Sequence, residues 1–258
     1  KLDENGQPIL ATSHLFNFSE KFIKEYLPFT IELGRSFVSP EYQRVQAGTK
    51  ALFALDNLWD GLGALMMMRP GMKYYFGKMT MYPSFNRYGR DLILHFLNKH
   101  FPDKEGLVTT KNPVVMETPA EAMDAVLTED DFKADYRILN KEIRALGENI
   151  PPLVNTYMGI SPSLKVFGTA VNDEFGDVEE TGILVDFNDI YEDKLARHID
   201  SFIKEQIAKI KIRWPQTIEN FEGEIAQKIT ARRNERFWKI FSWRSKPKGG
   251  TESQDYRD

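Results

Sequence analysis

No cysteine occurs among the 258 residues, and that absence removes disulfides, thiolate metal sites and cysteine nucleophiles together. Histidine is nearly as scarce: His14, His95, His100 and His198 are scattered with no metal-ligand spacing, so no metal is expected. No apolar run approaches the roughly 18 residues that cross a bilayer, and no signal peptide is visible. A net charge of −4 gives no general attraction to nucleic acid. No internal repeat is apparent. What remains is 41% hydrophobic and 28% charged, the balance of a soluble globular protein. The length suffices to bury a sizeable core and fits one domain plus an extension, or two small domains.

Periodicity sets out the elements. Leu15, Phe16, Phe18, Phe22, Ile23 and Tyr26 predict a short helix ending before Pro28. Thr30–Val38 reads as a buried strand, with apolar residues on both faces. A long helix is expected over Val45–Met68, where Ala51, Leu52, Leu55, Leu58, Trp59, Leu62 and Leu65 recur at helical spacing before Arg69-Pro-Gly71. Lys73–Tyr82 follows as a strand and Ser84–Phe101 as an amphipathic helix closed by Pro102. Strand, helix, strand, helix predicts an α/β fold with a parallel or mixed sheet.

Asp103–Thr118 reads as a connection with one extended piece, Val114–Met116. Ala120–Leu146 is expected to be helical in two segments, with Thr128 as the cap between them. Pro151–Tyr157 starts another short helix. Leu164–Ala170 and Gly182–Phe187 predict a hairpin whose acidic turn, Asn172–Glu180, is a solvated loop.

From Asp193 the character changes, so the predicted division is 1–192 and a helical extension over 193–258. Leu195, Ile199, Phe202, Ile207 and Ile210 mark one helix there, and Ile218, Phe221, Ile225 and Ile229 another. Arg232–Lys248 mixes seven basic residues with Phe237, Trp238, Phe241 and Trp243. That composition suits an anionic membrane surface, with rings at headgroup depth and cations on phosphates. It equally suits a helix packed on the core with a charged outer face. Gly249–Asp258 reads as disordered.

The richest stretch is 29–52. A strand ends at Val38, a turn containing Pro40 follows, and Gln43-x-x-Gln46-x-Gly48 opens the long helix. Such a junction aims backbone N–H groups and the positive helix end at one spot, which favours phosphate. The loop is neither Gly-x-Gly-x-x-Gly nor the lysine-bearing nucleotide loop, which argues against dinucleotide and ATP sites.

Val38, Pro40, Gln43 and Gly48 resemble the acyl-donor loop of the GNAT acyltransferase superfamily, with Gln46 standing where its first glycine usually lies. Further words in the same order strengthen the likeness: Glu32-Leu-Gly-Arg-Ser-Phe-Val38, Leu58-Trp59-x-Gly61-Leu-Gly63-Ala64, Tyr74-Tyr-Phe-Gly77, Pro151-Pro-Leu-Val-x-x-Tyr157 and Gly182-Ile-Leu-Val-Asp186. Together they resemble the hemolysin-like branch, which holds the bacterial N-acyltransferases of ornithine and glycine lipids. The resemblance covers about residues 10–190. It implies a GNAT-like mixed sheet flanked by helices. A strand–helix–helix–strand unit precedes the matched part in that family, so the sequence is expected to lack that N-terminal portion.

The same resemblance implies an amide-forming enzyme that moves a (3-hydroxy)fatty acyl group from acyl carrier protein, or from acyl-CoA, to the amine of glycine or ornithine. No tightly bound cofactor is expected. Val38, Gln43, Arg44, Gln46, Ala47, Gly48 and Thr49 would hold the donor, Glu32 would be the general base, and Tyr82 and Tyr88 are the local candidates for protonating the leaving thiolate. Glu32 could instead pair with Arg35 or a lysine. Gln46 adds bulk where a coenzyme A pyrophosphate would press. The single phosphate of a carrier protein's pantetheine arm tolerates that bulk better.

Lys73, Lys78, Arg87, Arg90 and Lys99 could form a basic face for an acidic carrier. The methionines from Met66 to Met81 could line an acyl chain's path or simply fill core. The expected location is the cytoplasm, peripheral on the inner membrane. Two rivals stand beside this reading: acetyl transfer from coenzyme A to a small amine, and a non-catalytic module docking on membrane or carrier protein. Glycerolipid O-acylation is not expected, since no histidine precedes an aspartate by the five-residue step.

Overall fold

The computed structural model describes residues 1–34, 59–65, 69, 71–194 and 196. These lie in one compact unit, Lys1–Ser201. The donor-loop residues at 38–49 and nearly all of the expected extension over 193–258 fall outside the described residues.

Six strands are described. β1 (Phe16–Phe18) pairs antiparallel with β4 (Val108–Thr110). β2 (Thr30–Glu32), β3 (Tyr74–Met81), β5 (Lys165–Asn172) and β6 (Val178–Asp186) form a sheet in the order β2-β3-β6-β5. β2 runs parallel to β3, and the other two pairs are antiparallel. The mixed sheet flanked by helices expected from the sequence is therefore present.

Among the described residues the helices that accompany it are α1 (Arg87–His100), α2 (Ala120–Asp124), α3 (Phe132–Ala145) and α4 (Pro152–Met158), with a further helical stretch at 59–65. Asn86 caps α1 by accepting from the Gly89 N–H at 3.0 Å.

Strand alternation gives the sheet two apolar faces. On one, Tyr75, Met79, Met81, Ile183 and Val185 pack with Leu92, Ile93, Phe96 and Leu97 of α1 and with α3 and α4. On the other, Phe76, Phe167 and Leu184 pack with Phe16, Phe18 and Phe22. The Phe76 ring centroid lies 5.5–6.1 Å from those of Phe16, Phe18, Phe22 and Phe167, mostly edge to face. Met79 and Met81 are core, while Met66–Met68 lie outside the described residues.

Four expectations change. Leu15–Tyr26 is not one helix: Phe16–Phe18 is strand, and the helical turn spans only Phe22–Tyr26. A partner distant in sequence, β4, overrides the local pattern. The extended piece of the connection is Val108–Thr110, although Val114 donates to the Thr169 carbonyl at 2.8 Å. The cap of α3 is Asp131, accepting from the Ala134 N–H at 2.9 Å, because the helix begins three residues later than Thr128 would require. The hairpin strands are longer than predicted, and the turn shrinks to 173–177. Gly176 takes the left-handed conformation there, at φ +68°.

Candidate active site

The parallel β2–β3 pair continues one bond past Glu32, where the Leu33 N–H donates to the Phe76 carbonyl at 2.7 Å. Alternation turns Ile31 and Leu33 to the α1 face and Glu32 to the phenylalanine face. There the half-buried Glu32 carboxylate meets the loop before β1. Its Oε2 accepts from the Ala11 N–H at 3.0 Å, and its Oε1 accepts from the Thr12 N–H at 3.0 Å and the Thr12 hydroxyl at 2.8 Å. Thr12 itself is buried. Among the described residues no lysine or arginine forms an ion pair with Glu32. A carboxylate fixed by three donors keeps its orientation and retains lone pairs for a further proton.

Two residues along β3, on the same face, Lys78 forms an ion pair with the buried Glu180, which also accepts from Thr80 at 3.4 Å. On the opposite face Glu179 accepts from Arg87 at 2.5 Å and from Arg90 at 3.0 Å. Arg90 and Glu179 are both buried. Neither acid is in a solvated turn, as the sequence suggested. β6 reaches back to Val178, so successive glutamates alternate to opposite faces, and each finds its own cations.

These contacts also engage the basic residues expected to form a carrier-docking face. Arg90 is buried, Arg87 and Lys78 are paired, and Lys73 lies 4.4 Å from the centroid of the Phe29 ring. Lys99 donates to the Leu127 and Glu129 carbonyls and to Asp135. Burial pushes the Asp135 carboxyl up, but hydrogen bonds from Lys99, His100 and the Glu129 N–H outweigh it and hold it below its ordinary value.

The two tyrosine candidates are not brought to Glu32. Tyr82 is 64% exposed, and it lies six residues beyond Phe76, the partner of Glu32, or about 20 Å at strand rise. Tyr88 is partly buried and packs on the apolar core at the start of α1. Val38, Gln43, Arg44, Gln46, Ala47, Gly48 and Thr49 lie outside the described residues. Among the described residues no cluster of His, Asp and Glu could hold a metal, and no helix is long and apolar enough to cross a membrane. His95 and His100 instead bond Asp124 and Asp135 at 2.8 and 2.9 Å.

A third tyrosine does reach the β2–β3 pair. Tyr157 of α4 is 6% exposed, its ring edge-on to Trp59 at 5.4 Å. A β-carbon on Gly77 would lie 3.7 Å from its hydroxyl oxygen, 3.5 Å from Leu33 Cβ and 3.9 Å from Ile183. Burial pushes the phenol up to about 12. The only sequence signal for it was its place in the Pro151–Tyr157 word.

A mixed sheet with a carboxylate held at the end of its parallel pair is an arrangement suited to proton abstraction beside that pair, and known proteins bear on the class. The chain is 61% identical over 212 residues to a protein named Glycine N(alpha)-acyltransferase in Phocaeicola vulgatus, covering 82% of this chain and 65% of that protein. It is also 61% identical over 212 residues to a protein of the same name in Bacteroides thetaiotaomicron, covering 82% of this chain and 63% of the other. The chain thus spans just under two thirds of the length of these curated relatives. Amino-acid N-acyltransferases are what it is similar to, in agreement with the resemblance read from its motifs. No family model matches the chain, and no solved structure does.

Proposed function

We propose that this chain carries amide-forming acyl transfer to the amine of glycine, with a fatty acyl group delivered by acyl carrier protein. The observation that carries this reading is the 61% identity over 212 residues to two proteins named for glycine N-acylation. The strand order β2-β3-β6-β5, with β2 parallel to β3, supports the GNAT-like arrangement that the motifs imply.

Direct transfer needs a cradled donor, a base for the ammonium and a hydrogen-bond donor for the thioester oxygen. Glu32 is the base in this reading. The 43–49 loop cradles the phosphate, and Gln46 in place of glycine favours a pantetheine arm over coenzyme A. A (3-hydroxy)fatty acyl group and a place in amino-acid-lipid synthesis belong to the same proposal, as does cytoplasmic location with peripheral membrane contact through Arg232–Lys248.

The test is to incubate the protein with acyl carrier thioesters, acyl-CoA and an amino-acid mixture, and to read the products by mass spectrometry. N-Acylglycine from the carrier thioester supports the proposal. Acetylated small amines from acetyl-CoA alone would replace it with the acetyltransferase reading, and no acylated amine at all would sink it.

A further inference from the structure

A tyrosine removed from water nearly always finds a hydrogen-bond partner for its hydroxyl, since leaving that group unpaired costs the desolvation of a polar atom. Tyr157 meets that requirement through solvent and not through protein: it is 6% exposed, and its hydroxyl oxygen is not among the buried polar atoms without a partner. Its ring is held by Trp59 and the surrounding core, yet no hydrogen bond from a described residue meets its oxygen.

Its position is equally specific. The hydroxyl stands over Gly77 of β3, and the neighbouring residue on β2 is Leu33, which makes the last described ladder bond of the parallel pair. Any side chain at 77 would point at this oxygen. A methyl there would meet Leu33, Tyr157 and Ile183 at 3.5–3.9 Å, which is ordinary contact distance. Glycine therefore leaves room for one small group, bounded by the Tyr157 hydroxyl and apolar walls. Glu32 lies one residue before Leu33 and projects to the opposite face of the sheet.

We infer that Tyr157 is a catalytic residue whose hydroxyl donates a hydrogen bond to the carbonyl oxygen of the acyl thioester, in the space kept open by Gly77. The inference rests on the acyl-transfer reading above. In the reaction the amine nitrogen forms a bond to the thioester carbon, and the carbonyl π pair moves onto oxygen, where the Tyr157 O–H meets the developing charge. The C–N bond is kept, the π bond re-forms and the C–S bond breaks. The proton lost by the amine passes to the Glu32 carboxylate and ends on the departing thiolate.

Tyr157 gives up no proton in this sequence. A phenol that burial pushes up to about 12 remains a donor throughout the neutral range. The base and the oxygen donor stand on opposite faces of the strand pair, so an acyl carbon at its end can be attacked from one side while its oxygen is held from the other.

Two measurements test this. The first uses a ketone analogue of an acyl-pantetheine, with CH₂ in place of the thioester sulfur, which keeps the carbonyl and cannot be cleaved. Tyr157→Phe is expected to weaken its calorimetric affinity about 3- to 10-fold, the worth of one neutral hydrogen bond, with Tm unchanged because no native hydrogen bond is lost. Equal affinity in wild type and variant would overturn the inference, as would failure of the wild type to bind the ketone.

The second is turnover. Tyr157→Phe should lower kcat about 10²-fold, as removal of one oxyanion donor does, by the same factor from pH 6 to 9. Gly77→Ala should fold with unchanged Tm and lose ketone binding; full binding by Gly77→Ala would place the ligand elsewhere. A wild type that acylates glycine, beside a Tyr157→Phe variant of normal turnover, would remove Tyr157 and leave the proposed function standing. A wild type that acylates nothing, with ketone binding weakened in the variant, would remove the proposed function and keep the thioester-oxygen site.

Discussion

Arg90 on α1 donates to Glu179 on β6 at 3.0 Å, and both side chains are more than nine-tenths removed from solvent. Arg90 also lies 2.7 Å from Asp91, which in turn accepts from the Glu117 and Thr118 N–H groups at 2.9 and 2.7 Å. One cation thus ties a helix start, a strand and the loop at 117–118. Removing it leaves two buried carboxylates short of charge, with Arg87 remaining on Glu179 alone. Arg90→Ala is expected to cost about 3–5 kcal/mol of unfolding free energy by urea titration. A loss below about 1 kcal/mol would show that Arg87 takes over the whole burden.

Gly182 of β6 faces Phe16. A β-carbon there would come within 3.0 Å of Phe16 Cζ and 3.1 Å of Cε1, and that ring is held between Phe76 and the β1–β4 pair. Gly182→Ala should therefore destabilise by about 1–3 kcal/mol through overpacking, with the Tm falling accordingly. An unchanged Tm would mean that the ring can move aside.

Acid sensitivity should centre on Glu105. Its carboxyl accepts from Lys165 at 2.8 Å, Lys21 at 2.6 Å and Tyr26 at 3.0 Å, and it is held down at about 2 against an ordinary value of 4.5, chiefly by Lys165 and then by Lys21. A carboxyl depressed in the folded state adds stability above its unfolded value and loses it as pH falls through the folded one. The stabilisation is thus complete above about pH 4.5 and fades toward pH 2. Lys165→Met should raise the midpoint of acid unfolding followed by circular dichroism, and leave stability near pH 2 unaltered relative to wild type. A midpoint that does not move would remove Glu105 from the acid response.

Glu32→Gln can keep the two hydrogen bonds from Thr12 at its one oxygen, gives up the one from Ala11, and removes the base. Acyl transfer should fall about 10²–10⁴-fold, most strongly near neutral pH, where the acceptor ammonium must lose its proton. Measurement of kcat against pH decides it: a variant with wild-type turnover excludes Glu32 as base.

The elements legible in the sequence were those whose own residues carry the pattern. Tyr75, Met79 and Met81 alternate as a strand facing one core, and Leu92, Ile93, Phe96 and Leu97 repeat as a helix, so β3 and α1 fell where periodicity put them. β1 did not, because Phe16-Asn17-Phe18 is extended only through pairing with Val108–Thr110. The cap of α3 was ambiguous for a different reason: Thr128, Asp130 and Asp131 are all good capping types, and only the helix start chooses among them.

Of the proposed site residues, Glu32 is legible through its place in a recognised word, six residues before Val38. The proposed role of Tyr157 was not legible, since it rests on α4 packing across Gly77, a contact between segments that share no local pattern. The burial of Glu179 and Glu180 was hidden because a pair of glutamates beside a glycine turn has the composition of a loop.

That pair also decides which alignment of β3 and β6 the chain accepts. With Glu179 toward Arg90 and Glu180 toward Lys78, a shift of one residue in either direction turns every side chain of β6 to the other face. In one direction Arg90 receives Glu180 and Lys78 receives Thr181. In the other, Lys78 receives Glu179 and Arg90 receives Val178. Either way one of the two cations is left opposite a residue that cannot answer its charge, so the two acids discriminate against misaligned β3–β6 pairings during folding even where they add little to the stability of the aligned one.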